Sequence, residues 1–425
     1  MSKPKSRMVK TRILIISDTH AALPEQQDVS VIHRGGANGN DDHDHDAATT
    51  PYQTPFHPPL PSADVLIHAG DLTMTGSLME HERALELLQA VDAPLKIVIP
   101  GNHDLTLDRP YYARHHDLHT RYARYGDATL DEIQDMYSGP EARAAGVRYL
   151  VEGLESFRLQ NGARLNVYAS AWQPEFFDWA FGYPRNRDRF NRSAADGDGT
   201  SKNNPANPVP DFVRAHTEDG KGECEDGDES ENVHVMLTHG PPMGILDKVA
   251  RTRESVGCEH LRRAVERCRP KIHCFGHIHE AWGAVRKAWD LGGTQNAGTS
   301  TGRSVGDDVD DDDDDDNNEK GTRASAATSS GGNPDQPPGQ FDPIRNPTTV
   351  YTYGDYGTTG HEHPGETLIQ PGSYQDQIGR MAAYVDATDL EHGKETVFVN
   401  ASIMNLRYRA VNAPWLVDVE LPVVE

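Results

Sequence analysis

The sequence predicts an α/β layered fold, and three observations carry that prediction. Short apolar runs rich in β-branched residues recur along the chain, each ending in a polar turn. Two segments with apolar residues at helical spacing lie among these runs. The runs are continuous rather than alternating, as expected of strands covered on both faces, an arrangement that gathers functional groups in the loops after the strand ends.

In chain order the strand-like runs are RILIIS (12–17), DVLIHA (64–69), LKIVIP (95–100), LNVYAS (165–170), VHVMLT (233–238), KIHCFG (271–276) and TVFVNAS (396–402). The helical segments are SLMEHERALELLQAV (77–91), between the second and third runs, and CEHLRRAVERCR (258–269), before the sixth. A single domain over 11–425 is expected, interrupted by three Gly-, Pro-, Ser-, Asn- and Asp-rich insertions at 24–62, 190–232 and 299–345. Their composition, with a whole-chain apolar fraction of only 36%, predicts disorder.

These insertions carry net charges of −5, −7 and −8, so −20 of the formal −25 belongs to them. The remainder is nearly neutral, and the acidic balance says nothing about substrate. Within them, the 310–316 aspartate run reads as a solvated loop, and DDHDHD (41–46), with His43 and His45, reads as a weak metal binder without apolar anchors. No residue pattern in the insertions names a protein partner.

Four cysteines without CxxC spacing fit structural thiols in a reducing compartment. The basic N-terminus lacks a signal-peptide apolar run, and no run of about 18 apolar residues exists, so a soluble cytoplasmic protein without a membrane partner is expected. GxxxxGK[ST] and strand-linked GxGxxG loops are missing, as is a basic patch with interleaved aromatics; nucleic acid is not an expected partner.

The chemistry lies at the strand ends. They carry Asp18 and His20 in SDTH, Asp71 in HAGD, Asn102, His103 and Asp104 in PGNHD, His239 in THGPP, and His277 and His279 in FGHIHE. Two cations about 3.5–4 Å apart need a bridging carboxylate together with imidazole nitrogens and amide or carboxylate oxygens, and the set contains all of these. The i, i+2 spacing in SDTH and HIH would bring both side chains to one face of extended chain. Gly70, Gly101, Gly240 and Gly276 would let the backbone turn beside the ions.

These motifs, in this order, resemble the calcineurin-like metallophosphoesterase superfamily. The resemblance implies a two-sheet mixed β-sandwich flanked by helices, with a dinuclear centre at one sheet end. It assigns Asp18, His20 and His279 to one metal, Asn102, His239 and His277 to the other, Asp71 to the bridge, and an outer-sphere catalytic role to His103. Asp104 is expected to help orient that imidazole. The resemblance also implies a hydroxide held between two divalent ions as the nucleophile. Manganese is the expected metal, and iron or zinc suits the same ligands.

Longer matches, including KIVIPGNHDLTLD, MLTHGPPMGILD, VGCEHLRRAVERCRPKIHCFGHIHEAWG and the late VNAS, resemble the metallophosphoesterase-domain-containing branch. That branch is associated with phosphodiesterase activity, cyclic nucleotides included. Some animal members have glycine where this chain has His277, a change linked to weak activity; the histidine here implies a complete site. The phosphate-gripping arginines of the serine/threonine protein phosphatases are replaced by GDLTMTG and Pro100. A small phosphodiester, possibly a nucleotide, is thus the expected substrate, ahead of a phosphomonoester, a phosphoprotein or a non-catalytic scaffold role.

Other residues call for blander readings. His68 reads as packing or as a hydrogen-bond partner beneath the ligands rather than a ligand. Trp172, Phe176, Phe177, Trp179 and Phe181 read as core or as a stacking surface at the pocket mouth. Arg185 reads as exposed, with phosphate contact as the alternative, and Asn400 as a residue that fixes a nearby loop or holds substrate.

Overall fold

A computed structural model describes residues 7–24, 54–119, 124–192, 205–212, 232–289 and 365–423. All of them belong to one compact unit formed by Met1–Asp290 and Thr348–Glu425; a second unit, Leu291–Pro347, lies outside the described residues.

The strands, in chain order, are β1 (Met8–Ile16), β2 (Val65–Ala69), β3 (Leu95–Ile99), β4 (Val147–Tyr149), β5 (Glu152–Arg158), β6 (Arg164–Ser170), β7 (Gln173–Pro174) and β8 (Gly182–Tyr183). They continue as β9 (Val235–Thr238), β10 (Ile272–Phe275), β11 (Gly283–Ala288), β12 (Glu366–Leu368), β13 (Ala383–Ala387), β14 (Glu395–Asn400) and β15 (Trp415–Pro422). The helices are α1 (Leu78–Ala90), α2 (Arg109–His119), α3 (Asp127–Ser138), α4 (Pro140–Ala144), α5 (Glu259–Cys268) and α6 (Tyr374–Arg380).

One sheet has the order β13-β15-β1-β2-β3-β4 and the other β12-β11-β14-β10-β9-β6-β5. Both are mixed. Strands β1 to β4 run parallel, as do β6, β9, β10 and β14, while β1–β15, β11–β14 and β5–β6 pair antiparallel. This is the two-sheet α/β sandwich flanked by helices that the sequence resemblance implied.

Alternation along each strand explains the continuous apolar runs. Ile13, Ile15, Ile97 and Ile99 of the first sheet share one buried cluster with Val235, Leu237, Val397 and Val399 of the second. Their neighbours Leu14, Ile16, Leu66 and Val98 face the other way, onto Ala84, Leu87 and Leu88 of α1 and Ile133 of α3. Met236, Phe275 and Phe398 likewise pack on Leu261 and Val265 of α5. With both faces covered there is no polar side to encode, and each fully buried Leu or Ile contributes roughly 1.5–3 kcal/mol.

Helix α1 begins where its sequence says it should. The Ser77 hydroxyl accepts from the Glu80 amide and the Glu80 carboxylate accepts from the Ser77 amide, a reciprocal cap that satisfies two orphan donors. Helix α5 ends at Arg269, in a left-handed conformation with φ 48°. Cys258, Cys268 and Cys274 are buried free thiols around this helix and β10.

The expected disorder does not hold at the insertion edges. Phe56 and Leu60 are buried with α1 and α3, and Phe190 and Val209 are buried with α5. These few apolar anchors bury enough surface to order their short flanks, which an average composition conceals. Residues 25–53, 193–204, 213–231 and 299–345, including His43, His45 and the aspartate run, lie outside the described residues. No helix among the described residues is long and apolar enough to cross a membrane.

A buried carboxylate fastens β15 across its neighbours. Asp418 accepts from Arg12 at 2.8 and 3.0 Å, from the Tyr384 hydroxyl at 2.9 Å and from Lys10 at 2.8 Å. Burial pushes its carboxyl up, but these donors outweigh burial and hold it down at about 2. Because the folded-state value is depressed, the contribution is present above the ordinary carboxylate range near 3.9 and is lost as pH falls toward 2. Arg12 and Lys10 are about half exposed, so solvent screening limits the effect. Asp418→Asn is expected to cost about 1–2 kcal/mol at neutral pH and to flatten the acid limb of stability between about pH 4 and 2, read by denaturant melts.

Candidate metal centre

The parallel strands of both sheets deliver their C-terminal ends to one place. Asp18 follows β1, Asp71 follows β2, Asn102 follows β3, His239 follows β9, and His277 and His279 follow β10. Backbone bonds stitch these ends together: Ser17 N donates to Ala401 O at 3.0 Å, Asp18 N to Gly70 O at 2.9 Å, and Gly276 N to His239 O at 3.0 Å.

The paired ligands do not converge by extended i, i+2 geometry. Asp18, His20, Asp71 and His277 all have positive φ, at 54°, 45°, 54° and 67°, so each sits in a tight left-handed turn beyond its strand. Non-glycine residues adopt that region at a cost of order 1–3 kcal/mol, and its clustering at one spot marks a functional site. Glycine supplies room as well as turning. A Cβ on Gly276 would lie 2.0 Å from an Asp18 carboxylate oxygen, and one on Gly101 would lie 2.3 Å from Asp71 Oδ1.

Donor atoms of Asp18, His20, Asp71 and His279 gather within 4.8 Å of one another, and so do those of Asp71, His239 and His277. Asp71 is common to both groups, as a bridging ligand must be. Its Oδ1 lies 3.4 Å from His239 Nε2 and its Oδ2 lies 3.8 Å from His20 Nε2. Asn102 joins the second group through Oδ1, 2.9 Å from His239 Nε2.

Hydrogen bonding shows why cations fit. His20 Nδ1 faces the Thr73 carbonyl at 3.0 Å, His239 Nδ1 the Ala69 carbonyl at 2.9 Å, and His279 Nδ1 the Asn405 carbonyl at 3.3 Å. A carbonyl only accepts, so each Nδ1 carries a proton, and a cation in the site would meet the Nε2 lone pair of a neutral ring. Those lone pairs are aimed at one another and at oxygens: His20 Nε2 lies 3.2 Å from His279 Nε2, and His239 Nε2 faces Asp71 and the Asn102 oxygen. Acceptor set against acceptor in a buried site is stable only around positive charge. The imidazole, carboxylate and amide-oxygen mixture suits borderline divalent ions.

The protonation of the ion-free chain leads to the same place. Burial drives His20 down to about 4 and His277 to about 3. Burial also opposes charge on His239, yet Asp71 and Asp18 outweigh it and raise that ring to about 9, a proton partly standing in for a cation. Asp71 is held well below the usual carboxylate range, because His239, His103 and His20 outweigh its burial.

His103 stands beside this cluster without joining it. Its amide donates to Asp71 Oδ1 at 2.9 Å, and its Nδ1 donates to the Met74 carbonyl at 2.8 Å, which leaves Nε2 as the working nitrogen. Trp179 lies tilted over the ring with centroids 4.1 Å apart.

Asp104 departs from its expected task of orienting His103. Its carboxylate accepts from Leu72 N, Thr73 N, Thr73 Oγ1 and Gly101 N at 2.7–3.1 Å, three backbone donors and one hydroxyl from the loops that carry Asp71 and Asn102. The Met74 carbonyl orients the imidazole instead. Burial and Asp71 push the Asp104 carboxyl up to about 7 against those donors.

Other expectations resolve individually. His68 is fully buried, 2.9 Å from Thr19 Oγ1, and supports the Asp18 loop from below. Asn400 donates to Ile278 O at 3.0 Å and accepts from Ser402 N at 3.1 Å, fixing the His277–His279 turn. The aromatic cluster divides: Phe181 is buried against Trp172, Phe176 and Phe177 are 64% and 79% exposed, and Trp179 covers His103. Arg185 borders the pocket above the ligands, with its guanidinium donating to Gly257 O and Val256 O at 2.8 Å.

The sequence reading missed Tyr408, whose ring packs edge-on against His20 and His279 with centroids 4.9 and 5.3 Å apart. It missed the carbonyl partners of the histidines too. A backbone oxygen leaves no mark in sequence, and NLRYRAVN (405–412) has no apolar periodicity to attract attention.

Known proteins are similar to this chain over more than half of its length. A family model described as calcineurin-like phosphoesterase matches residues 11–281. Metallophosphoesterase domain-containing protein 1 of Homo sapiens and that of Mus musculus are each 32% identical over 227 residues, 53% of this chain and 57% of theirs. A probable rhamnogalacturonate lyase C of Emericella nidulans is 30% identical over 236 residues, 55% of this chain but 17% of its own length. The chain thus spans little more than half of the first relatives and a small part of the third. The family model covers more than half of the chain and spans every residue of the candidate centre, so this protein belongs to the calcineurin-like phosphoesterase family.

Proposed function

We propose that this protein hydrolyses phosphoric esters with two divalent ions, and that its substrate is a small phosphodiester, with nucleotides and cyclic nucleotides as the first class to examine. The observation that carries the reading is Asp71, shared between two groups of inward-facing lone pairs, with the His103 imidazole held beside them. Bound ions would polarise phosphoryl oxygens and lower the pKa of water.

The chain's own residues supply the rest. Asn102 and the histidines fix where a phosphoryl group sits, and Trp179 with the Met74 carbonyl aims His103 Nε2 into the pocket, where it can give a proton to a leaving oxygen. The pocket, about 360 Å³, is lined above the ligands by Phe176, Trp179, Leu406 and Tyr408. Arg185 is its only permanently cationic side chain among the described residues. A singly charged diester with apolar or aromatic ester groups suits that lining better than a phosphomonoester dianion.

Manganese is our first choice of metal, with iron and zinc accommodated by the same ligands, and we place the protein in the cytoplasm. The test is turnover by manganese-loaded full chain against a bis-aryl phosphate, an aryl monophosphate and a panel of cyclic nucleotides. Hydrolysis of the diester over the monoester is expected; the reverse preference refutes the diester reading.

A further inference from the structure

Tyr408 is a bulky residue held in a conformation such residues avoid. Its φ of 54° costs on the order of 1–3 kcal/mol and persists only where surrounding structure over-determines it. Here it is over-determined. Asn405 Oδ1 accepts from Arg407 N at 2.9 Å and Arg409 N at 3.1 Å, Tyr408 N donates to Asn405 O at 2.9 Å, and Asn405 N donates to Arg409 O at 3.0 Å. The Asn405 carbonyl also faces His279 Nδ1, so one short loop both orients a metal ligand and presents Tyr408.

The ring stands against the residues of the site. It meets His20, His279 and His103 edge-on, with centroids 4.9, 5.3 and 6.0 Å away, yet the residue is 44% exposed and lines the pocket. Its hydroxyl has no hydrogen-bond partner among the described residues. A phenol set over the ligands with its polar end uncommitted, on a strained loop, is poorly explained as packing, because a Phe or Leu would fill the same space.

We infer that the Tyr408 hydroxyl is a further substrate-contacting group, donating a hydrogen bond to a non-bridging oxygen of the phosphoryl group that the metal centre binds. This deepens the phosphoesterase reading and rests on it. The ring provides one wall of the subsite and the hydroxyl its polar contact. Such a donor strengthens as charge builds on the phosphoryl oxygens, so its loss should weaken turnover at least as much as ground-state binding.

The experiment compares wild type and Tyr408→Phe as manganese-loaded full chains, measuring bound metal, inorganic phosphate affinity by calorimetry, and kcat and KM for a bis-aryl phosphate. Phenylalanine keeps the ring, so bound metal is expected to be unchanged. Phosphate affinity is expected to fall about tenfold, and kcat/KM tenfold or more. Wild-type phosphate affinity in Tyr408→Phe overturns the inference, as does failure of wild type to bind phosphate. If wild type binds phosphate but cleaves no diester, the proposed function fails while the phosphate comparison still decides the role of Tyr408.

Discussion

Asp71→Asn is expected to release the metals while leaving the fold intact. Asp71 is the one ligand common to both groups of donor atoms, and its charge is what keeps the surrounding imidazole lone pairs facing a cation. Asparagine preserves size and can still accept from His103 N through its amide oxygen, but it loses the charge and places an NH2 group where a second metal-facing oxygen stood. Losing a hydrogen-bond partner of a ligand typically costs 10–100-fold in metal affinity, and losing the shared ligand itself should cost at least about 100-fold. Metal analysis of the purified variant after dialysis tests this. Retention of both ions would show that Asp71 is not the bridge.

His103→Ala should separate turnover from metal binding. The imidazole touches no other member of the cluster by hydrogen bond; its Nδ1 is spent on the Met74 carbonyl and its amide, which alanine keeps, donates to Asp71. The variant is therefore expected to hold its metals and to lose kcat by about 10²–10⁴-fold, the usual contribution of a positioned acid or base. Phosphate affinity should change much less. Metal loss equal to that of Asp71→Asn would place His103 among the ligands instead. A substrate with a good leaving group, which needs little protonation, should suffer least from the change.

The parts of this fold that are legible in sequence are those in which one physical demand dominates. Strands β1, β2, β3, β6, β9, β10 and β14 are buried on both faces and read as apolar runs, and α1 and α5 show helical apolar spacing because one face meets a sheet. Strand β11 is harder to see, since Arg286 and Lys287 interrupt its pattern; they are paired with Glu395 and Glu366 on neighbouring strands. Strand β15 hides Asp418 in a similar way. Charged residues in strands are legible only once their partners are known. Helix α2, with RPYYARHHDLH, lacks a clear apolar stripe.

The candidate site was legible in its residue types and order but not in its geometry. The ligand motifs stand at the ends of parallel strands, as their place in sequence implied. Four of the seven candidate ligands, Asp18, His20, Asp71 and His277, sit in left-handed turns rather than extended chain, a choice that tertiary packing makes. Asp104 shows the same limit. A carboxylate next to His103 invites an orienting role, yet four backbone and side-chain donors from the 71–73 and 101 turns claim it first. Tyr408 arrives from a loop more than 100 residues after the last ligand, where no motif announces it.

Manganese titration of the metal-stripped full chain, with bound metal and bis-aryl phosphate hydrolysis followed together, decides whether the strand-end loops build a dinuclear centre competent for phosphodiester hydrolysis. The structure leads us to expect two ions per chain and activity that appears as the second binds. Saturation at one ion, or hydrolysis indifferent to metal, would contradict it.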